Sequence, residues 1–199
     1  MTRFISVHST NDSAMSCLAS LYFPKGSVVR DVTFGKGVFW KLIDTRQFDF
    51  LGSDINGDIR YDFNDLPFED NSVDVVVFDP PYRYSPTKGI TRAGFEDRYK
   101  IKSTAPKNVQ GVVKMYKDFI DRSSYLKVGG IMIIKCQDTV QDGNQHWVHM
   151  EIADHLARSA FILEDIAIVV TSTKNVRWKQ QYHLDKAHSY FLVAKKVKE

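Results

Sequence analysis

The sequence predicts an α/β protein with a doubly wound, mostly parallel seven-stranded sheet and helices on both faces. Two observations predict this fold class. Short segments rich in Val, Ile and Phe alternate along the chain with segments whose apolar residues recur at helical spacing. Most of the apolar segments end at a glycine or an acid, which is where the strands of such a sheet turn toward the next helix.

The elements follow from these patterns in chain order. The predicted strands are residues 27–34, 48–56, 59–63, 73–78, 129–136, 161–172 and 187–196. The predicted helices are residues 11–23, with Thr10 or Asn11 as the N-cap, a segment after Gly37, residues 109–126 and residues 146–160. In the third of these helices Val113, Tyr116 and Ile120 form one apolar face.

Length and composition exclude several classes of protein. With 199 residues, 43% of them apolar, the chain is expected to form one globular domain. Its longest apolar runs are too short to cross a bilayer, and its N-terminus lacks an apolar signal core, so we expect a cytoplasmic protein without membrane contact. Cys17 and Cys136 lack CxxC spacing and are expected to be reduced thiols.

Ligands of doubly wound sheets bind beyond the carboxyl ends of the strands, so residues at predicted strand ends are candidate site residues. Gly35 and Gly37 form a turn whose spacing fits neither GxGxxG nor GxxxxGK[ST], which disfavours a dinucleotide or an ATP phosphate loop. Asp54, about twenty residues later, can accept hydrogen bonds from ribose hydroxyls. Asp62 could accept from an adenine amino group, with the backbone of Phe63 facing the ring edge.

The segment VDVVVFDPPYRY (73–84) places four unusual residues after its most strand-like run. Pro80 and Pro81 give up two backbone donors and stiffen the turn, which indicates that Asp79 and Tyr82 are held in a fixed direction.

In their order along the chain, these motifs resemble those of S-adenosylmethionine (SAM)-dependent amino-methyltransferases, above all the DNA enzymes that modify adenine N6 or cytosine N4. Small phage-type and orphan bacterial forms are the most similar, particularly through HSTND and DVTFGKGVFWK. DPPY, LKVGGIMIIKCQD and KAHSYFLVAKK are similar to segments of the family as a whole. The resemblance implies a class I methyltransferase fold with an antiparallel last strand, and SAM as the cofactor. It implies cofactor binding by Asp31, Thr33, Phe34, Gly35, Gly37, Asp54, Asp62 and Phe63.

The resemblance also implies a catalytic group made of Asp79, Pro80, Pro81 and Tyr82. The Asp79 carboxylate and the Pro80 carbonyl would accept the two N–H bonds of a flipped-out base amine, which leaves the nitrogen lone pair free for the methyl group. Tyr82 would stack on that base. The sulfonium carries its own leaving group, so no metal is required.

The net charge of +3 is too small to indicate a nucleic acid partner, but its distribution is uneven. Residues 83–107 hold seven basic and two acidic residues, a net +5, directly after DPPY. With a second basic segment at 171–186, this insert is expected to contact double-stranded DNA. The predicted contacts are Arg83, Lys88, Arg92, Arg98, Lys174 and Arg177. We expect no separate target-recognition domain, so sequence reading falls to these segments or to a second subunit in a homodimer.

Several alternatives remain open. An RNA methyltransferase acting on guanine N2 or adenine N6 also uses DPPY, and a cytosine-N4 DNA enzyme differs little; adenine is preferred because the motif starts with Asp rather than Ser. A protein-glutamine methyltransferase is disfavoured because the motif starts with Asp. A catalytically inactive binding module is disfavoured because the Asp79 motif and the glycine turn are both intact. A metal site is disfavoured because His146, His149, Glu151, Asp154 and His155 do not form an HExxH pattern.

Overall fold

A computed structural model of the chain describes residues 4–81, 106–170, 182–184 and 186–199. Its helices are α1 (Asn11–Tyr22), α2 (Val109–Asp121) and α3 (Val148–Arg158), with short 3-10 turns at Val38–Trp40 and Thr45–Gln47. Its strands are β1 (Val7–His8), β2 (Val28–Asp31), β3 (Asp49–Gly52), β4 (Val73–Phe78), β5 (Leu126–Cys136), β6 (Thr139–Gln141), β7 (Asn144–His146), β8 (Phe161–Val170) and β9 (His188–Lys196).

Seven strands form one sheet in the order β1-β8-β9-β5-β4-β2-β3. The pairs β1–β8, β2–β3, β2–β4 and β4–β5 are parallel. The last strand, β9, lies antiparallel between β5 and β8. The predicted fold class, a mostly parallel seven-stranded sheet with an antiparallel last strand, is confirmed.

One of the seven strands is not the predicted one. Residues 59–63 do not form a strand, and their bridge is an isolated contact between Asp62 and Asp65. The Asp62 carboxylate accepts the backbone N–H of Asn64 at 2.8 Å, and this local turn competes with strand pairing. The seventh strand is instead β1, which pairs with β8 at the opposite edge of the sheet.

The predicted helix after Gly37 is only a single 3-10 turn. Gly37 has a left-handed backbone, with φ of 64°, and the chain then bends back toward β2 because the Trp40 indole donates to Asp31 at 2.7 Å. None of the described helices combines the length and the apolar character that crossing a bilayer requires.

The hairpin β6–β7 was not predicted from the sequence. It turns through Asp142 and Gly143, which both have positive φ, at 52° and 75°. An Asp-Gly pair is a common two-residue hairpin turn, so a signal was present in the segment VQDGNQ.

Apolar residues of β4 pack against helices on both faces of the sheet. Phe78 faces α2, where its ring stacks on Phe119 with centroids 3.7 Å apart. Val75 and Val77 belong to the cluster on the other face, which includes Met15 of α1. Because β4 is buried on both faces, the residue that follows it is held at the carboxyl edge of the sheet.

Candidate active site at the carboxyl edge of the sheet

Asp31 ends β2 and lies under the glycine turn. It is 2% exposed, and its Oδ1 and Oδ2 accept from the Thr33 backbone N–H at 3.0 Å and from the Trp40 indole at 2.7 Å. Burial raises the pKa of Asp31 to about 7, against the effect of these two hydrogen bonds. The carboxylate therefore braces the turn from beneath.

The Phe34 ring lies over two glycines. A Cβ on Gly37 would come within 2.7 Å of the ring, and one on Gly52 would overlap the ring. The Phe34 backbone N–H donates to Ser53 at 2.9 Å, which joins the glycine turn to the end of β3. Gly52 was not among the predicted site residues, although a glycine at the end of a strand was the signal that would have identified it.

Asp54, a predicted site residue just beyond β3, is hydrogen-bonded to the glycine turn. Its Oδ2 accepts from the Gly35 backbone N–H at 3.2 Å, and its Oδ1 accepts from the Asn56 N–H at 2.9 Å. Gly35 is exposed, and a Cβ there would meet only the Thr33 carbonyl, at 3.9 Å. Since each carboxylate oxygen has a further lone pair, the half-buried Asp54 keeps acceptor capacity beside an open stretch of backbone.

Asp62 and Phe63 lie in the loop between β3 and β4. Asp62 is exposed, and its Oδ1 accepts from both the backbone N–H and the side-chain amide of Asn64, each at 2.8 Å. The Phe63 ring packs edge-on against Phe78 with centroids 5.1 Å apart. The ring thus anchors the loop to the core through the strand that leads into DPPY.

Asp79 follows β4 and meets the glycine turn. Its backbone N–H donates to the Thr33 hydroxyl at 2.6 Å. The residue as a whole is partly exposed, but its Oδ1 is buried and has no hydrogen-bond partner among the described residues. Burial raises the pKa of Asp79 to about 6, and the positive charge of Lys135 opposes that rise. Pro80 is buried and Pro81 is exposed, so the chain reaches the protein surface at Pro81.

The remaining predicted site residues lie outside the described residues. They are Tyr82, Arg83, Lys88, Arg92, Arg98, Lys174 and Arg177.

Lys135, in β5, was missed by sequence reasoning. It is only 4% exposed, and its ammonium lies 5.3 Å from the Phe39 ring centroid and 5.5 Å from that of Phe191. The β4–β5 register places it beside Asp79. A charged residue inside the apolar run IMIIKC was the signal that would have identified it.

A second group missed by sequence reasoning surrounds Asp138, just beyond β5. Asp138 is 2% exposed; its Oδ1 lies 2.7 Å from His149 Nδ1, and its Oδ2 accepts from the Tyr190 hydroxyl at 3.2 Å. That hydroxyl lies 2.8 Å from His188 Nε2. The network ties the start of α3 to β5 and β9, while His155 pairs separately with a carboxylate of α2. His149 and His155 therefore contact different carboxylates.

A cavity of about 330 Å³ lies on the flank of α2, lined by Phe63, Phe68, Arg122 and Tyr125 among others. Tyr125 precedes β5, so this cavity is at the opposite end of that strand from Lys135. Phe63 is the one sequence-predicted site residue among its lining residues.

No protein-family model matches the chain, and no curated protein is similar to it in sequence. Solved structures do match its fold. The 1,6-didemethyltoxoflavin-N1-methyltransferase of Burkholderia thailandensis aligns with a TM-score of 0.58 and 11% identity, over 96% of this chain and 80% of that one. The magnesium protoporphyrin IX methyltransferase of Synechocystis PCC 6803 with bound SAH aligns with a TM-score of 0.56 and 14% identity, over 94% and 81%.

A SAM-dependent methyltransferase of Methanosarcina mazei aligns with a TM-score of 0.54 and 12% identity, over 92% of this chain and 98% of that one. At these identities the alignments establish the architecture. The chain therefore has the class I, Rossmann-like methyltransferase fold that these proteins share.

Proposed function

We propose that the chain is a SAM-dependent methyltransferase that modifies the exocyclic amino group of a base in DNA, with adenine N6 as the preferred atom. One observation carries the proposal. Asp79 Oδ1 is a buried carboxylate oxygen without a hydrogen-bond partner in the described part of the chain, and it lies at the carboxyl edge beside the glycine turn. Such an oxygen lacks a donor, and a base amine supplies one.

The residues around the glycine turn fit SAM as the cofactor. The turn has exposed backbone at Gly35, and Asp54 beside it retains lone pairs for the ribose hydroxyls. Solved proteins with the same fold hold SAM or SAH. When bound, SAM supplies an electrophilic methyl group on a sulfonium. Asp31 would brace the turn from beneath, and Asp62 and Phe63 would face the adenine.

Asp79 and Pro80 would prepare the acceptor amine. The lone pair of an exocyclic amine is delocalised into the ring, so the nitrogen must be drawn toward tetrahedral geometry before it reacts. The Asp79 carboxylate would accept one N–H and the Pro80 carbonyl the other. Both bonds strengthen as positive charge develops on nitrogen, which stabilises the transition state more than the ground state. Ionised Asp79 does this better than the protonated acid, because its negative charge stabilises the positive charge on nitrogen, so we expect the rate to rise as pH passes about 6.

The basic segments 83–107 and 171–186 support a polynucleotide as the substrate. We propose that they contact the phosphates of double-stranded DNA while Tyr82 stacks on the extruded base. A homodimer would double this basic surface and contribute to sequence reading.

The test is incubation with isotope-labelled SAM and either duplex DNA or RNA, followed by mass spectrometry of the nucleosides. We expect labelled N6-methyladenine from DNA, and loss of the label with Asp79→Asn but not with Asp58→Asn, an exposed acid outside the proposed site. Label found only in RNA would favour the RNA alternative, and label on cytosine the N4 alternative. Full methylation by Asp79→Asn would contradict the proposed mechanism.

A further inference from the structure

We infer that Lys135 is a positioning residue of this site, and that its buried ammonium group is the counter-charge that keeps the neighbouring Asp79 carboxylate ionised. The role of Asp79 in the reaction rests on the proposed function. The proximity of the two groups follows from the register of β4 and β5, and the effect of one charge on the other is testable without any substrate.

Strand register brings the two residues together. Phe78 pairs with Ile134 in the parallel β4–β5 ladder, so the next residues, Asp79 and Lys135, are neighbours. Side chains alternate along a strand, and Ile133, two residues before Lys135, belongs to the cluster on the α1 face. Lys135 and Asp79 therefore both face that side of the sheet.

The surroundings of Lys135 hold its charge in place. Phe39 and Phe191 pack edge to face with centroids 5.1 Å apart, and the Lys135 ammonium lies over both rings. The Lys135 carbonyl accepts from the Tyr116 hydroxyl at 2.8 Å, which fixes the strand backbone at this point. Aromatic faces attract a cation, but a buried ammonium group also requires an anion nearby.

Among the charged residues around Asp79, Lys135 is the one that favours its ionised form. Asp31 at the end of β2 and Asp54 beyond β3 are acids on the neighbouring strands, and Asp79 and Asp54 each raise the pKa of Asp31 through repulsion. In β5, burial keeps the Cys136 thiol protonated by raising its pKa. Of the described residues, Lys135 is the cation whose charge lowers the pKa of Asp79.

The attraction acts in both directions. Burial lowers the pKa of Lys135, and the Asp79 charge opposes that change. If Lys135 were neutral, burial and acidic neighbours would favour protonated Asp79. A protonated carboxyl is a weaker acceptor for the N–H of a base amine than a carboxylate is, and it carries no negative charge to stabilise the developing positive charge on nitrogen.

The test compares Lys135→Met, which keeps the apolar stem but removes the charge, with Lys135→Arg, which keeps the charge. The matched control is Lys196→Met. Lys196 is also buried in the sheet, at 5% exposure, but its ammonium donates to the Leu126 carbonyl at 2.8 Å, at the opposite end of β5. The full chain is labelled with ¹³C at aspartate carboxyls, and the Asp79 signal is assigned by its loss in Asp79→Asn.

We expect Asp79 to titrate near pH 6 in the native protein and at least about one pH unit higher in Lys135→Met, since a nearby opposite charge lowers a carboxyl pKa by about 1–3 units. Lys135→Arg and Lys196→Met should titrate near the native value. In the methyl-transfer assay the acidic limb of the rate profile of Lys135→Met should move by the same amount. For a shift of one unit the rate at pH 6 should fall about fivefold, because the ionised fraction of Asp79 falls by that factor, and it should recover at higher pH. An unchanged Asp79 titration would overturn the inference, and so would a moved titration with an unmoved rate profile. If neither DNA nor RNA is methylated, the proposed function is wrong. The titration still tests whether the Lys135 charge lowers the pKa of Asp79.

Discussion

Replacing Asp79 by Asn should make the protein more stable at neutral pH while abolishing its activity. The folded-state pKa of Asp79, about 6, lies above its ordinary value of 3.8 because burial disfavours the charge. The folded state therefore holds the Asp79 proton more tightly than the unfolded state does. A carboxyl of this kind lowers the free energy of unfolding as pH rises from about 4 to about 6, and the cost is complete above that range.

The magnitude follows from the pKa difference. A difference of about two units corresponds to about 3 kcal/mol, since each unit is about 1.4 kcal/mol. The partial exposure of Asp79 reduces this figure, so we expect a contribution of about 1–3 kcal/mol. Asn has a similar shape and no charge. The gain in the free energy of unfolding from Asp79→Asn should be absent near pH 4 and fully present near pH 8.

The assay is urea unfolding of both proteins at pH 4 and pH 8. The change in their stability difference between the two pH values removes any effect of Asn that does not depend on charge. Asp74, at the other end of β4, is the matched control, because it pairs with Lys127 at 2.7 Å and accepts from the Val28 N–H at 2.8 Å. The Lys127 and Val28 contacts lower the pKa of Asp74 against its partial burial, so Asp74→Asn should destabilise by about 1 kcal/mol at pH 8. A stability difference for Asp79→Asn that does not change with pH would show that the folded state does not raise the pKa of Asp79.

Three further predictions concern the turn and the network beside it. Asp54→Ala should weaken SAM binding about tenfold or more by calorimetry, because it removes a carboxylate acceptor. Asp58→Ala, at an exposed position, should leave the Kd for SAM unchanged. An equal Kd for the two variants would show that Asp54 does not bind SAM. Gly37→Ala should destabilise by about 1–2 kcal/mol in thermal melts, since its φ is +64° and the new Cβ meets the Phe34 ring. An unchanged Tm would show that the ring moves freely. Tyr190→Phe should cost about 1 kcal/mol in urea unfolding by removing the hydrogen bond to Asp138, and no loss would mean that this bond adds nothing.

Local sequence patterns predicted most strands because a strand buried on both faces needs a continuous apolar run, as in VDVVVF and IMII. These patterns gave a wrong prediction for a segment that is not buried. Ile59 is exposed and Asp62 satisfies a neighbouring backbone N–H, so residues 59–63 do not form a strand. The two-residue strand β1 carries too short a pattern to be recognised and depends on β8 for its pairing.

Asp31, Asp54 and Asp79, with Gly35 and Gly37, were identifiable from the sequence as residues at or just beyond strand ends, since they interrupt apolar runs. Only the tertiary structure decided which side chains meet. Asp79 and Lys135 are 56 positions apart in the numbering, and strand register makes them neighbours. Asp138, His149 and Tyr190 come together only because β5, α3 and β9 meet at one edge. The physical reason is that local patterns report the burial of a segment, whereas the partner of a buried charge is set by the pairing of distant strands.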